Sequence, residues 1–208
     1  RGALGGPVVG YSPNTVIIDL GTNVDTRPGL LVDFAALGNV MSKLIYKNEN
    51  PRIALLSVGS EKGKGNALVK EATDLLSSTD LNFIGNIEPN DLPFSKAEVV
   101  LCDGFVGNII LKLTEGLGDA IVSHVKEILG ETEESKKLSK EIFERMNILE
   151  AFGGGPLLGV NGLAIVGHGA SSVDAIANAV GTAKFVVETG LIEAQQAELD
   201  RIRAEVSD

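Results

Sequence analysis

Ile53-Ala-Leu-Leu-Ser-Val-Gly-Ser-Glu-Lys-Gly-Lys-Gly-Asn66 passes without a break from an apolar run into a loop of glycine and lysine. The run at 53–58 shows no polar alternation, as a strand covered by helices on both faces requires. Four other runs end in the same manner. Residues 16–18 lead into Asp19-Leu-Gly-Thr-Asn23, and Asn82-Phe-Ile84 into Gly85-Asn-Ile-Glu88. Residues 99–101 lead into Cys102-Asp-Gly-Phe-Val-Gly-Asn108, and 163–166 into Gly167-His-Gly-Ala-Ser-Ser172. In an open α/β sheet, ligands bind beyond the carboxyl ends of the strands. Five polar, glycine-rich loops at that edge predict one composite site, rich in backbone N–H donors suited to an oxyanion.

Helical periodicity fills the intervals. Leu30, Phe34, Leu37, Met41, Leu44 and Ile45 share one face, and Asn50-Pro51 closes that helix. A second helix runs through Leu68, Ala72, Leu75 and Leu76. From Asn108, Ile110, Leu113, Leu117, Ile121, Val125 and Ile128 predict a long helix ending near Gly130. A charged turn, Glu131-Thr-Glu-Glu-Ser-Lys-Lys137, joins it to an amphipathic helix, a protruding helical hairpin over about 109–150. Helices are also expected at about 171–189, capped by Ser171, Ser172 or Asp174, and from about Leu191. Residues 1–15 read as an irregular entry, and 153–159 as a glycine-rich return to the last strand. The alternation predicts one α/β domain over 1–208, a three-layer α/β/α arrangement around a mostly parallel sheet.

Composition removes several classes of function. A net charge of −10 argues against a nucleic-acid binder, which needs a basic face, and against general adhesion to anionic lipid. The single cysteine excludes an internal disulfide framework and fits a reducing compartment. Cys102 ends an apolar run, so a buried, inert thiol is expected. No apolar stretch approaches the roughly 20 residues of a membrane span. The chain begins with Arg, and is expected to be a processed or partial piece of a longer protein.

Within the loops, Gly63 and Gly65 allow close backbone approach to a ligand, and Lys62 and Lys64 offer cationic donors. The spacing is not a Walker P-loop, and a solvated surface loop has the same composition. Asp103, Gly107 and Asn108 run from a strand end toward a helix, either as ligand groups at a helix N-terminus or as turn and cap chemistry. His168, between two glycines, suits acid/base work or a structural bond. Asn23, with Asp19 and Asp25, holds either a substrate or a helix start. His124 on the long helix is not a ligand, and two separated histidines with one cysteine give no zinc pattern. Neither G-x-G-x-x-G nor G-x-S-x-G is present.

Taken in order, Ile18-Asp-Leu-Gly-Thr-Asn-Val-Asp25, Asn50-Pro-Arg52, residues 59–66, Asn82-Phe-Ile-Gly-Asn86, Cys102 to Asn108 with Leu111-Lys-Leu-Thr-Glu-Gly116, Gly154-Gly-Pro-Leu-Leu-Gly-Val-Asn-Gly162 and His168-Gly-Ala-Ser171 resemble the phosphate acyltransferase (PlsX) family of bacterial phospholipid synthesis. The resemblance implies transfer of a long acyl group from acyl carrier protein to inorganic phosphate, giving an acyl phosphate. It implies a fold similar to isopropylmalate dehydrogenase and phosphotransacetylase, a homodimer, and a cytoplasmic location with peripheral membrane contact. No cofactor and no metal are expected. Lys64 and Asn108 carry over as catalytic positions. Asn23, Gly63, Gly65, Asn66, Asp103, Gly107 and His168 carry over as substrate- or phosphate-binding positions.

The chain also departs from the family. It resembles the C-terminal two-thirds of the family's chain, without the N-terminal region. Ser60 and Lys62 stand where acidic residues are common, and the hairpin tip is polar. Docking an acidic carrier needs a basic patch, for which Lys126, Lys136, Lys137, Lys140 and Arg145 are candidates. The competing functions are a phosphotransacylase using acyl-coenzyme A and a noncatalytic phosphate- or carrier-binding fragment. A nicotinamide-dependent dehydrogenase on the related fold would need a carboxylate set for metal that this sequence lacks.

Overall fold

A computed structural model describes residues 1–169 and 171–207; Ala170 of the His168–Ser171 motif and the terminal Asp208 lie outside the described residues. Seven strands form the sheet: β1 (Ala3–Gly6), β2 (Val16–Ile18), β3 (Ile53–Leu56), β4 (Phe83–Ile87), β5 (Val99–Leu101), β6 (Gly155–Leu158) and β7 (Ile165–Val166). Their order is β4-β3-β5-β2-β1-β6-β7. Strands β2, β3, β4 and β5 are mutually parallel, and β1 is antiparallel to both β2 and β6. β7 pairs antiparallel with β6. The sheet is therefore mixed but mostly parallel, between helical layers.

The absence of alternation in the central strands has a direct cause. Val16, Ile18, Ile53, Leu55, Val99 and Leu101 pack into one core, while Ile17, Ala54, Leu56 and Val100 pack into another on the opposite face. Successive side chains point to opposite faces, so two buried faces demand an apolar residue at every position. The first face is covered by α1 (Pro28–Ile45), α2 (Ala67–Ser77) and α7 (Leu191–Ser207). Leu31, Phe34, Leu37 and Met41 of α1 lie at its centre. Gly38 lets α1 close on the sheet, since a Cβ there would overlap Val99. α1 has the length and apolarity of a membrane span, but 67% of it is buried inside the molecule, which makes it a core helix here. The second face is covered by Val106, Ile110 and Leu111 of α3 (Gly104–Leu129).

α3 and α4 (Glu133–Met146) form the hairpin, followed by the short α5 (Ile148–Ala151). Gly130 at φ +64° ends α3, and Thr132 Oγ1 accepts from Ser135 N at 3.1 Å to start α4. The charged stretch expected as a turn is therefore mostly the first turn of α4. Carboxylates of Glu133 and Glu134 there complement the helix dipole. α6 (Val173–Glu188) is capped by Ser172, whose Oγ accepts from Ala175 N at 3.1 Å.

Three expectations are corrected. Residues 3–6, expected to be irregular, are an interior strand, and 155–158, expected to be a return loop, are its neighbour. The long helix begins at Gly104, with Asp103 as its cap, and not at Asn108. Between β4 and β5 a 3-10 turn, Pro89–Phe94, was not anticipated.

Candidate active site

Three loops meet at the carboxyl edge of β2, β3 and β5. The loop after β2 is held by Asp19, which is fully buried. Asp19 Oδ1 accepts from Leu4 N at 3.1 Å, from Gly21 N and Thr22 N at 3.2 Å, and from the Thr22 hydroxyl. Its Oδ2 accepts from Asn23 N at 2.6 Å and Asn23 Nδ2 at 2.9 Å. A carboxylate accepts only, and a ring of donors is what its burial requires. Asn23 also donates to Gly2 O at 2.8 Å, so both hydrogens of its amide are engaged within the protein.

The first turn of α3 rests on this loop. Gly104 N donates to Asn23 O at 2.8 Å, and a Cβ at Gly107 would overlap the Asp19 carbonyl oxygen. Both positions need glycine because backbone meets backbone there. Asp103 Oδ1 accepts from Val106 N at 2.8 Å, and Gly107 N reaches Asp103 O at 3.0 Å. The N-terminal amides of Gly104, Val106 and Gly107 are thus satisfied internally. Asn108 is exposed, just past that first turn.

The loop at 59–66 is exposed for most of its length. Gly63 at φ +89° and Gly65 at φ +100° take left-handed conformations that other residues rarely adopt. Asn66 caps α2, its Oδ1 accepting from Val69 N at 3.0 Å. Lys64 donates its backbone N–H to Glu61 O at 3.1 Å, and its carbonyl accepts from Asn86 Nδ2 at 3.4 Å. Its ammonium is exposed and has no ion-pair partner among the described residues.

Two cavities flank the first turn of α3. One, of about 210 Å³, is lined by Ser57, Gly65, Asn66, Cys102, Asp103 and Val106. The other, of about 320 Å³, is lined by Asn108, Lys112, Glu115, Asp119, His168 and Ser171, with Gly153, Gly154 and Gly155 at its back. The expected residues therefore divide into groups. Gly65, Asn66 and Asp103 share the first cavity, with Lys64 one residue from its lining. Asn108 and His168 share the second. Asn23 and Gly107 build the partition, and Gly63 shapes the exposed turn.

Lys112, Glu115 and Asp119 follow Asn108 along one face of α3 at helical spacing, a periodicity that could have flagged them. Lys112 Nζ pairs with Glu115 Oε2 at 2.7 Å. Cys102 is 5% exposed, and burial, with the nearby Asp103 and Asp19 carboxylates, pushes its thiol far above the ordinary value. It remains a thiol at neutral pH and is not a nucleophile. Among the described residues, no three His, Cys, Asp or Glu side chains gather as a metal site. On the hairpin, Lys136 pairs with Glu133, Lys140 with Glu144, and Arg145 with Glu141. Three members of the expected basic patch thus lie beside a carboxylate of their own helix.

The model of a family described as fatty acid synthesis protein matches residues 3–194. A phosphate acyltransferase of Desulfitobacterium hafniense is 42% identical over 198 residues, covering 91% of this chain and 59% of that protein. The phosphate acyltransferase of Thermodesulfovibrio yellowstonii is 44% identical over 179 residues, covering 83% and 52%. That of Elusimicrobium minutum is 40% identical over 201 residues, covering 92% and 58%. The chain spans between half and three-fifths of the length of these curated relatives.

Proposed function

The chain belongs to the fatty acid synthesis protein family, and we propose that it is an acyltransferase moving a long-chain fatty acyl group from acyl carrier protein to inorganic phosphate. A phosphate oxygen attacks the thioester carbonyl carbon, and a C–O bond forms. The tetrahedral oxyanion collapses, the C–S bond breaks, and the carrier thiolate leaves with the electron pair and takes a proton from water. The products are an acyl phosphate, for phospholipid synthesis, and free carrier.

Phosphate is already a nucleophile, so the protein needs to hold and orient it. Positioning of this kind can supply roughly 7–11 kcal/mol of a barrier. The observation that carries the reading is the exposed ammonium of Lys64, without an ion-pair partner among the described residues, on a glycine turn beside the first cavity. In this proposal Lys64 draws phosphate toward that cavity. Asn108, across the first turn of α3, donates from its amide to the thioester oxygen as charge develops. His168 and the glycine wall at 153–155 border the space for the acyl donor.

A homodimer with peripheral contact at the cytoplasmic membrane belongs to the same proposal. It is supported by Phe105, Ile109, Leu113, Leu117 and Ile121, which stand exposed at four-residue intervals along α3. Such a stripe has the chemistry of a covered surface.

The test is to incubate the chain with palmitoyl-acyl carrier protein and phosphate and trap the acyl phosphate with hydroxylamine. Phosphate-dependent product, lost in Lys64→Ala, is expected. Product from palmitoyl-coenzyme A alone would favour the coenzyme A-dependent transacylase. Phosphate binding without turnover would favour a noncatalytic binding role.

A further inference from the structure

A third cavity, of about 160 Å³, lies where the C-terminal end of α1 and one side of α6 meet the β1–β6 pair. Met41, Ile45, Tyr46, Phe152, Phe185 and Val186 line it, and no charged side chain does among the described residues. Its two hydroxyl-bearing residues are Thr182 and Tyr46. Thr182 Oγ1 donates to Phe152 O at 2.9 Å, so that hydroxyl is already engaged. Burial pushes the Tyr46 phenol up to about 12, and it stays uncharged at neutral pH. Such a lining excludes ions and strongly solvated groups and takes apolar ones.

This cavity backs onto the one that holds Asn108 and His168. Leu149, Gly154 and Gly155 line both. The Leu149 side chain lies over bare backbone: a Cβ at Gly6 would stand 2.7 Å from its Cδ2, and one at Gly155 3.6 Å away. Gly154 N donates to Leu149 O at 2.8 Å and ties α5 to the glycine wall. The partition between a polar cavity and an apolar one is thus built from Leu149 on glycine. A small anion needs only the first space, and a compact apolar solute only the second. A molecule with a polar head and a long unbranched tail fills both. The apolar space has room for about six carbons, since a dry cavity of similar volume holds benzene.

We propose that the cavity beneath Tyr46 and Phe185 seats the distal methylenes of the acyl chain, whose thioester lies in the Asn108–His168 cavity, with the chain passing Leu149. This rests on the reading of the chain as an acyltransferase and adds where the length of the acyl group is sensed. Discrimination there comes from apolar contact alone. Each further methylene that leaves water for the cavity strengthens binding about fourfold, until the space is filled.

The experiment displaces the fluorescent fatty acid cis-parinaric acid from the 208-residue chain with octanoyl-, lauroyl- and palmitoyl-pantetheine, all kept below their micellar concentrations. These are neutral thioesters with the donor's chemistry. Affinity should rise from octanoyl to palmitoyl by at least about 10², as burial of several methylenes implies. Thr182→Phe places a ring in the cavity. It should weaken palmitoyl binding at least about tenfold and octanoyl binding by no more than about threefold, since the shorter chain enters least. Tyr46→Phe keeps the shape and removes only the hydroxyl, and should match wild type for all three. Failure of the protein to bind the probe, equal affinity for octanoyl and palmitoyl, or equal weakening of both in Thr182→Phe would each overturn the seat. So would a large loss in Tyr46→Phe, which would mark a polar ligand. The same proteins enter the hydroxylamine assay with palmitoyl-acyl carrier protein and phosphate. Product from wild type with no chain-length preference removes the seat alone. Length-dependent binding without acyl phosphate keeps an acyl-chain site and removes the acyltransferase reading.

Discussion

Asp19 Oδ2 accepts two hydrogen bonds from a single residue, the backbone N–H of Asn23 at 2.6 Å and its side-chain Nδ2 at 2.9 Å. One carboxylate thereby fixes the loop that the first turn of α3 sits on. Asp19→Ala would strand donors on Leu4, Gly21, Thr22 and Asn23. The expected cost is about 3–5 kcal/mol, the range for breaking a buried charged network. Urea denaturation would read it, and a loss under about 1 kcal/mol would mean that water replaces the carboxylate.

Gly107→Ala tests the contact from the other side. The added methyl would overlap the Asp19 carbonyl, so α3 must shift away from the β2 loop. Overpacking of this kind costs typically 1–3 kcal/mol. Because α3 borders both cavities, turnover should fall further than stability does. Equal activity at reduced stability would uncouple the partition from the chemistry.

Lys64→Ala is expected to leave stability within about 0.5 kcal/mol, as an exposed residue without an ion-pair partner among the described residues should. Activity in the hydroxylamine assay should fall by about 10²–10³, the range for loss of one oxyanion-stabilising donor. Normal turnover would move the catalytic role elsewhere.

The pairing of Arg52 with Glu98 sets an acid-side dependence. Burial pushes the Glu98 carboxyl up, but hydrogen bonds from the Arg52 side chain and backbone outweigh it, and the net shift is downward. A carboxyl depressed in the folded state stabilises above its unfolded value, about 4.3, and loses that contribution as pH falls through the folded value. Arg201 likewise lowers Glu198. Melting temperature should therefore drop as pH falls below about 4.5, and less so in Glu98→Gln. A variant curve parallel to wild type would discount the pair.

The stripe on α3 makes a prediction about assembly. Leu113 is 58% exposed and Leu117 is 47% exposed. Glutamate at both positions should leave the fold intact and weaken self-association in sedimentation velocity by at least tenfold, as charges at an apolar interface do. Identical sedimentation of variant and wild type would assign the stripe another role.

Much of this molecule was readable in its sequence, and the exceptions share a cause. β2, β3 and β5 announced themselves because burial on both faces leaves only apolar residues. β1 and β6 did not, because Gly5, Gly6, Gly155 and Pro156 carry the composition of a loop. There the missing side chain makes room for packing: a Cβ at Gly5 would stand 2.8 Å from Ile18 Cγ1. The start of α3 was misplaced for the same reason, since Gly104 and Gly107 read as a turn but are points of contact. Gly65, Asn66 and Asp103 were legible as loop chemistry. Ser57, which lines the first cavity, was not, because one serine at the end of an apolar run looks like strand.

The interior position of β1 bears on the order in which the chain can assemble. Leu4 precedes the helical hairpin in the chain, but one of its partners, Leu157, emerges only after the whole hairpin. Half of the strand's ladder therefore waits while β2 to β5 are already able to pair among themselves. Closing so long a stretch of chain is a late and slow event. Until it happens β1 has a free edge, where a strand from another molecule can pair. Yield on refolding should accordingly depend on protein concentration more steeply than the finished molecule's stability would suggest.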